Sequence, residues 1–247
     1  MKTCIISGRY SKTKVESSIN HKIYADKFGY AYINCNWPTK EKNPYLNKIH
    51  FILNYIDLYD YIIWIDDDAF FFDFEVDIME YSPKGDNILS ACKSPSYKPL
   101  KTFLSSGQFI LKSCHLSKEF LNEILLQKFS TIESWWYNDL GFYTKGDQDI
   151  MVYLFHTDER FKNKITLYDY KKFNSRYENL FDKDLHKPLI LHFTGRPEIK
   201  MNNYKSVQKL LILTPSLVPS RLLSLYNIFV ETKKVSFFNK VIRCLLP

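Results

Sequence analysis

The segment Tyr61–Ile65 is apolar throughout and is followed at once by three aspartates, Asp66, Asp67 and Asp68. A continuous apolar run of this kind is typical of a central strand that is covered on both faces. Three adjacent carboxylates repel each other and destabilise the end of a buried strand unless a cation or hydrogen-bond donors compensate them. Mg²⁺ or Mn²⁺ is the usual cation, because such ions bind carboxylates together with substrate phosphates. A solvated turn or a helix N-cap is the alternative interpretation.

The order of predicted elements indicates an α/β fold. A short apolar run at 2–7 precedes helical spacing at 15–23, a second strand candidate at 30–35 and an amphipathic helix at 43–56. With the strand before the aspartates, this β-α-β-α-β order predicts a mostly parallel sheet flanked by helices. Ligands of such a sheet bind outside the carboxyl ends of its strands, which is where the aspartates lie. Further strands are predicted at 88–92, 107–112 and 189–193, and further helices at 116–125 and around 150–154.

The net charge of +7 is concentrated near the C-terminus. Residues 198–247 contain eight Lys or Arg and two Glu, a balance of +6, whereas the first 197 residues contain 26 basic and 25 acidic residues. Because nucleic-acid proteins carry their basic excess on the binding domain itself, this distribution argues against DNA or RNA as the substrate. We predict a catalytic domain at 1–197 and a basic amphipathic helical extension at 198–247.

The extension has basic and apolar residues on opposite sides of a predicted helix. Lys233, Lys240 and Arg243 share one side, and the other side is apolar. This pattern predicts a helix on an anionic membrane surface, while packing on the catalytic domain or in a homodimer is the alternative. Five isolated Cys and no window near about 18 apolar residues lead us to expect a cytoplasmic protein, peripheral on the cytoplasmic face of a membrane.

Five blocks of the sequence resemble glycosyltransferase family 34, a group of galactosyl-, mannosyl- and xylosyltransferases. Residues 61–73 resemble the family's DxD region, and the other blocks follow in the family's order at 18–30, 106–114, 146–149 and 191–195. The resemblance implies the GT-A fold, with a C-terminal helical extension as a departure from it. It also implies a Mn²⁺ or Mg²⁺ cofactor, a nucleotide-sugar donor with UDP favoured over GDP, and a glycan or lipid-linked sugar acceptor.

The same resemblance implies roles for individual residues. The implied metal ligands are Asp66, Asp68 and His192; the implied donor-binding residues are Asp66, Asp67, Lys48, Ser106 and Gly107; the implied catalytic residues are Asp147 and Gln148. Ser105 stands where the family has Asn, which leaves the recognised sugar open. From the residues alone, the alternatives are that His192 is a packed or capping residue, Lys48 a solvated helix residue, and Asp147 or Asp149 a helix cap.

The predicted function is metal-dependent transfer of a hexose or pentose from a nucleoside diphosphate sugar, with retention of anomeric configuration. An inverting reaction on the same fold, with an Asp as general base, is one alternative. A metal-dependent nucleotidyltransferase or phosphoesterase that uses the Asp cluster is a second. A third is a non-catalytic glycan- or membrane-binding module, in which the aspartates have only a structural role.

Overall fold

The computed structural model describes residues 1–9, 15, 17–185 and 187–228, and the strands of this part form two sheets. The strands are β1 (Thr3–Gly8), β2 (Ala31–Cys35), β3 (Tyr61–Ile65), β4 (Ala69–Phe71), β5 (Leu89–Cys92), β6 (Ser105–Lys112), β7 (Ile165–Tyr168) and β8 (Ile190–His192). The large sheet has the order β2-β1-β3-β6-β5-β7, and β4 pairs with β8 in a two-stranded sheet.

Five strands of the large sheet run in one direction. β1 is parallel to β2 and β3, and β5 is parallel to β7. β6 lies between β3 and β5 and is antiparallel to both. The predicted α/β class with a mostly parallel sheet is therefore confirmed.

Helices cover both faces of this sheet. They are α1 (Ser17–Lys27), α2 (Asn47–Leu53), α3 (His115–Leu126), α4 (Phe129–Trp135), α5 (Asp147–Thr157), α6 (Pro197–Leu211) and α7 (Ser220–Leu225). Alternate side chains of β3 point to opposite faces, as the two-residue period of a strand requires. Ile62 and Trp64 belong to the apolar cluster formed with α2, α3 and α5, while Ile63 and Ile65 belong to the cluster formed with α1. The apolar run thus forms a central strand covered on both faces.

The small sheet brings a distant part of the chain to the end of β3. β4 follows the three aspartates after a tight turn, and its residue Ala69 lies opposite His192 of β8. Phe70 and Phe193 form a third apolar cluster with Tyr204 and Val207 of α6. The predicted strand at 189–193 is present, but it pairs outside the large sheet.

The start of the predicted extension packs on this body. α6 contributes to the third apolar cluster, and Leu223 of α7 joins the cluster that also contains Ile5 and Ile63. α7 lies within the predicted extension, and the predicted helix at 233–246, which carries Lys233, Lys240 and Arg243, lies outside the described residues. Among the helices of the described ranges, none has the length and hydropathy needed to cross a membrane.

Candidate active site

Two carboxylates and one imidazole converge where β3 ends. Asp66 and Asp68 lie in the turn between β3 and β4, and His192 is the last residue of β8. The three side chains offer ligand atoms that lie within 4.8 Å of one another. His192 Nε2 is 3.1 Å from Asp68 Oδ1, and the imidazole is buried while the two aspartates are partly exposed. The structure thus brings together the three residues predicted to bind metal.

The backbone of Gly107 leaves the space that this cluster needs. A Cβ atom at this position would lie 2.6 Å from His192 Cε1 and 3.1 Å from Asp66 Oδ2. Gly107 lies inside β6 and not at the start of a strand, and its carbonyl accepts a hydrogen bond from the Asp66 N–H at 2.8 Å. Two carboxylates, one imidazole and a cradle kept open by glycine are a donor set that fits a divalent cation such as Mn²⁺.

Asp66 is held from two sides. The indole Nε1 of Trp64 donates to Asp66 Oδ1 at 2.7 Å, and Lys48 Nζ lies 3.4 Å from the same oxygen. Both contacts fall on Oδ1, and the Oδ2 atom is the one that faces the Gly107 backbone. The carboxylate therefore has one oxygen fixed by donors and the other directed toward the His192 side of the cluster.

Lys48 connects the cluster of Asp66, Asp68 and His192 with the start of α5. Its Nζ is 3.1 Å from Asp147 Oδ2 and donates to the Ser106 carbonyl at 2.9 Å. Both side chains of the pair are buried. Burial by itself would lower the pKa of Lys48, but the charges of Asp147 and Asp66 outweigh it and raise that pKa. Burial raises the pKa of Asp147, with the charge of Asp66 acting in the same direction and that of Lys48 against it.

The two acids in the first turn of α5, Asp147 and Asp149, make different contacts. Asp149 Oδ2 accepts from the Thr144 N–H at 2.7 Å and from its hydroxyl at 3.0 Å, so Asp149 closes the turn before the helix. Burial raises the pKa of Asp149 to about 6. Asp147 instead faces Lys48. Gln148 is partly exposed and accepts from the Ser106 N–H at 3.2 Å, which joins α5 to β6.

Several residues beside the cluster were not predicted from the sequence. Lys200, near the start of α6, forms an ion pair with Asp68 Oδ2. Burial alone would raise the pKa of Asp68, but the charge of His192, when its ring is protonated, and the charge of Lys200 hold that pKa well below its ordinary value. On the other side, Arg9 Nη1 is 3.7 Å from Asp67 Oδ2, and the Asp67 side chain is largely buried. Lys200 lies only eight residues after His192 in the sequence, and this proximity is the one signal that could have indicated it.

His192 is also contacted at Nδ1, on the side of the ring opposite Asp68. Its Nδ1 is 2.9 Å from Asn174 Oδ1 and 3.3 Å from Arg176 Nη1, and both partners are buried. Burial lowers the pKa of His192, although the charge of Asp68 acts in the opposite direction. A neutral imidazole is the form that binds metal ions. Neither Asn174 nor Arg176 belongs to a motif that the sequence could have revealed.

Comparison with known proteins identifies the fold. No family model and no curated protein matches the chain. A solved structure of a glycosyltransferase involved in the glycosylation of the major capsid of PBCV-1 superposes with a TM-score of 0.63 at 11% identity, over 83% of this chain and 100% of that chain. The glycosyltransferase GlyE of Streptococcus pneumoniae TIGR4 gives a TM-score of 0.52 at 15% identity, over 95% of this chain and 66% of that chain.

These similarities show that the chain has the mixed α/β architecture of GT-A glycosyltransferases, so the predicted fold is confirmed. The narrower assignment to family 34 stays a prediction. At identities of 11% and 15%, the fold is what the two structures share with this chain. The chemistry must therefore be argued from the side chains of its own site.

Proposed function

We propose that this protein is a metal-dependent glycosyltransferase. It moves a hexose or pentose from a nucleoside diphosphate sugar to a glycan or lipid-linked sugar acceptor. The observation that carries the proposal is the cluster of Asp66, Asp68 and His192 at the carboxyl edge of a GT-A sheet, next to the buried pair of Lys48 and Asp147. Ligands of open α/β sheets bind at this edge, and the buried charged pair is costly to maintain unless it serves the site.

Asp66, Asp68 and His192 would hold Mn²⁺ or Mg²⁺, with Mn²⁺ favoured because imidazole suits it better. The bound ion would stabilise the negative charge that develops on the departing diphosphate. Gly107 keeps the space beside the imidazole clear. The imidazole of His192 is buried, whereas the carboxylates of Asp66 and Asp68 are partly exposed. The solvent side of the cluster is therefore open to a nucleotide-sugar donor.

The charges of the surrounding side chains support binding of metal and donor as a pair. The acids are Asp66, Asp67, Asp68 and Asp147, and the cations beside them are Lys48, Lys200, Arg9 and Arg176. The formal charges of these four acids and four cations sum to zero. A divalent cation alone would therefore leave an excess of about two positive charges, which a nucleoside diphosphate can neutralise. Lys200 is the cation on Asp68 and is one-third exposed, so it is free to turn toward a diphosphate.

Asp147 and Gln148 are the proposed catalytic residues. Asp147 is 2% exposed and paired with Lys48, which suits a fixed charge near an oxocarbenium-like transition state better than a base that must reach an acceptor hydroxyl. Gln148 is the more accessible neighbour and would position the sugar. We therefore propose retention, in which the departing phosphate accepts the proton of the attacking hydroxyl. Lys48, Asp67 and Ser106 would support the donor.

The test is a screen of UDP- and GDP-sugars with Mn²⁺, followed by NMR of the product's anomeric configuration. We expect a sugar product with retained configuration, and a loss of activity and of Mn²⁺-dependent donor binding in Asp68→Asn. Asp57→Asn, which changes an exposed acid paired with Lys118, is the matched control. An inverted product would refute the retaining mechanism. Nucleotide transfer or hydrolysis without a sugar product would favour the nucleotidyltransferase or phosphoesterase alternative.

We further propose that the part of the predicted extension (198–247) that follows α7 holds the enzyme on the cytoplasmic face of an anionic membrane. The proposal rests on the charge of 198–247 and on the basic side of the helix predicted at 233–246. Co-sedimentation with anionic vesicles tests it, and replacing Lys233, Lys240 and Arg243 by Gln should abolish binding. Binding that survives these changes would contradict the membrane role, and dimerisation that depends on them would favour the homodimer.

A further inference from the structure

The orientation of His192 is controlled from the side opposite the aspartates. A neutral imidazole carries one proton, so only one ring nitrogen offers a lone pair, and hydrogen bonds to the other nitrogen decide which. Nε2 faces Asp68 Oδ1 at 3.1 Å, whereas Nδ1 faces Asn174 Oδ1 at 2.9 Å. The tautomer of His192 therefore depends on whether Asn174 presents its oxygen or its nitrogen to the ring.

Arg176 determines how the Asn174 amide is turned. Its Nη1 donates to the Asn174 backbone carbonyl at 2.8 Å and to Asn174 Oδ1 at 2.5 Å. A guanidinium has donors and no acceptor, so the amide atom that meets it must be the oxygen. That same oxygen contacts His192 Nδ1, and because an amide oxygen only accepts, Nδ1 must carry the proton. The 3.3 Å approach of Arg176 Nη1 to Nδ1 brings two N–H groups together and adds no hydrogen bond.

Two further observations fit this arrangement. Asn174 Nδ2 is buried and has no hydrogen-bond partner within the described ranges. An unpaired buried donor is destabilising, and the two contacts of the Oδ1 atom must offset this cost. Arg176 is also buried, and no ion pair of the described residues includes it. Its guanidinium instead donates to the backbone and side-chain carbonyl oxygens of Asn174, which act as acceptors where a carboxylate would usually be found.

With the proton on Nδ1, the Nε2 lone pair points at a carboxylate oxygen only 3.1 Å away. Two acceptors in this position repel each other unless a cation lies between them. We propose that Arg176 and Asn174 are positioning residues, a relay that holds His192 as the Nδ1–H tautomer and presents Nε2 as a metal ligand. This inference deepens the proposed function and rests on its metal site.

The first experiment measures the tautomer of His192 by ¹⁵N NMR of the imidazole nitrogens in the metal-free full-length protein. We expect the proton on Nδ1. His21 is the internal reference, because its Nε2 is 2.8 Å from the Ala69 carbonyl, which requires the opposite tautomer. A proton on Nε2 of His192, or on both nitrogens near neutral pH, would overturn the relay. This measurement needs no variant and does not depend on the proposed activity.

The second experiment measures Mn²⁺ affinity by calorimetry. Asn174→Leu removes the acceptor and should weaken Mn²⁺ binding by about 10–100-fold, the usual cost of losing such a partner of a ligating His. Asn174→Asp restores an acceptor and should bind Mn²⁺ at least as well as the wild type. Unchanged affinity in Asn174→Leu would refute the relay. Absence of Mn²⁺ binding in the wild type, with the Nδ1–H tautomer present, would instead refute the metal role of the site.

Discussion

The close approach of Gly107 to His192 leads to a quantitative prediction for Gly107→Ala. The added Cβ would lie 2.6 Å from His192 Cε1, whereas ordinary contacts of this kind begin at 3.4 Å, so the ring or the strand must move by about 0.8 Å. The imidazole has little freedom to move, because it is buried and Asn174 holds its Nδ1. Overpacking of this kind typically costs about 1–3 kcal/mol of stability.

The same displacement should be more damaging to metal binding than to folding. Metal–ligand distances tolerate changes of only about 0.2 Å, so a shift of this size removes His192 from the ligand set. We expect Gly107→Ala to bind Mn²⁺ at least about tenfold more weakly than the wild type, measured by calorimetry. Urea denaturation should still show a cooperative transition, because the backbone of Gly107 is not in the left-handed region.

Gly29→Ala is the control for a general loss of stability. Gly29 has a φ of +70° and nothing within 4 Å of a Cβ, so alanine there strains the backbone without touching the site. That strain costs about 1–2 kcal/mol, close to the cost expected at Gly107. Mn²⁺ affinity should be unchanged in Gly29→Ala. If Gly107→Ala also kept its affinity, the contact between Gly107 and the imidazole would have no role in metal binding.

Three other predictions concern ionisable side chains. Lys48→Met should lower the free energy of unfolding by about 3–5 kcal/mol in urea titrations, because Asp147 loses its buried partner. The double variant Lys48→Met/Asp147→Asn should recover part of the lost free energy of unfolding. A loss equal to the sum of the two single-variant losses would contradict the pairing. Lys200→Gln should strengthen binding of Mn²⁺ alone by about tenfold in calorimetry, since the ammonium competes for Asp68; weaker binding would contradict this. Burial lowers the pKa of His21 from 6.5 to about 4. Keeping His21 neutral in the folded state therefore contributes about 3 kcal/mol to the free energy of unfolding. This contribution is complete above pH 6.5 and is lost as the pH falls through 4. His21→Gln should flatten this pH dependence in urea titrations, and an unchanged slope would contradict it.

The elements predicted well from the sequence are those set by local pattern. The strand at Tyr61–Ile65 has the predicted bounds, because a run of apolar residues followed by three acids marks both of its ends. The short strands Ala69–Phe71 and Ile165–Tyr168 were missed, since their pairing depends on partners far along the chain. The antiparallel direction of β6 was likewise not predicted, because it follows from the path of the chain and not from side-chain periodicity.

The candidate site shows the same division between local and distant information. The resemblance of short blocks pointed to Asp66, Asp68 and His192, which the structure brings together. Asn174 and Arg176 could not be predicted, because their role depends on how Arg176 orients the Asn174 amide toward a ring that lies 18 residues from Asn174 and 16 from Arg176. Donor and acceptor geometry of this kind appears only once the tertiary structure is formed.

The two-stranded sheet has a consequence for how the site assembles. Asp68 and His192 are 124 residues apart in sequence, and they meet only when β8 has paired with β4. Contacts at such separation carry a large loop-closure entropy and tend to form late in folding. A chain that has not completed this pairing therefore lacks the complete set of proposed metal ligands. Mn²⁺ should bind the native state alone and raise its stability by mass action, so metal affinity can serve as a measure of the correctly folded fraction.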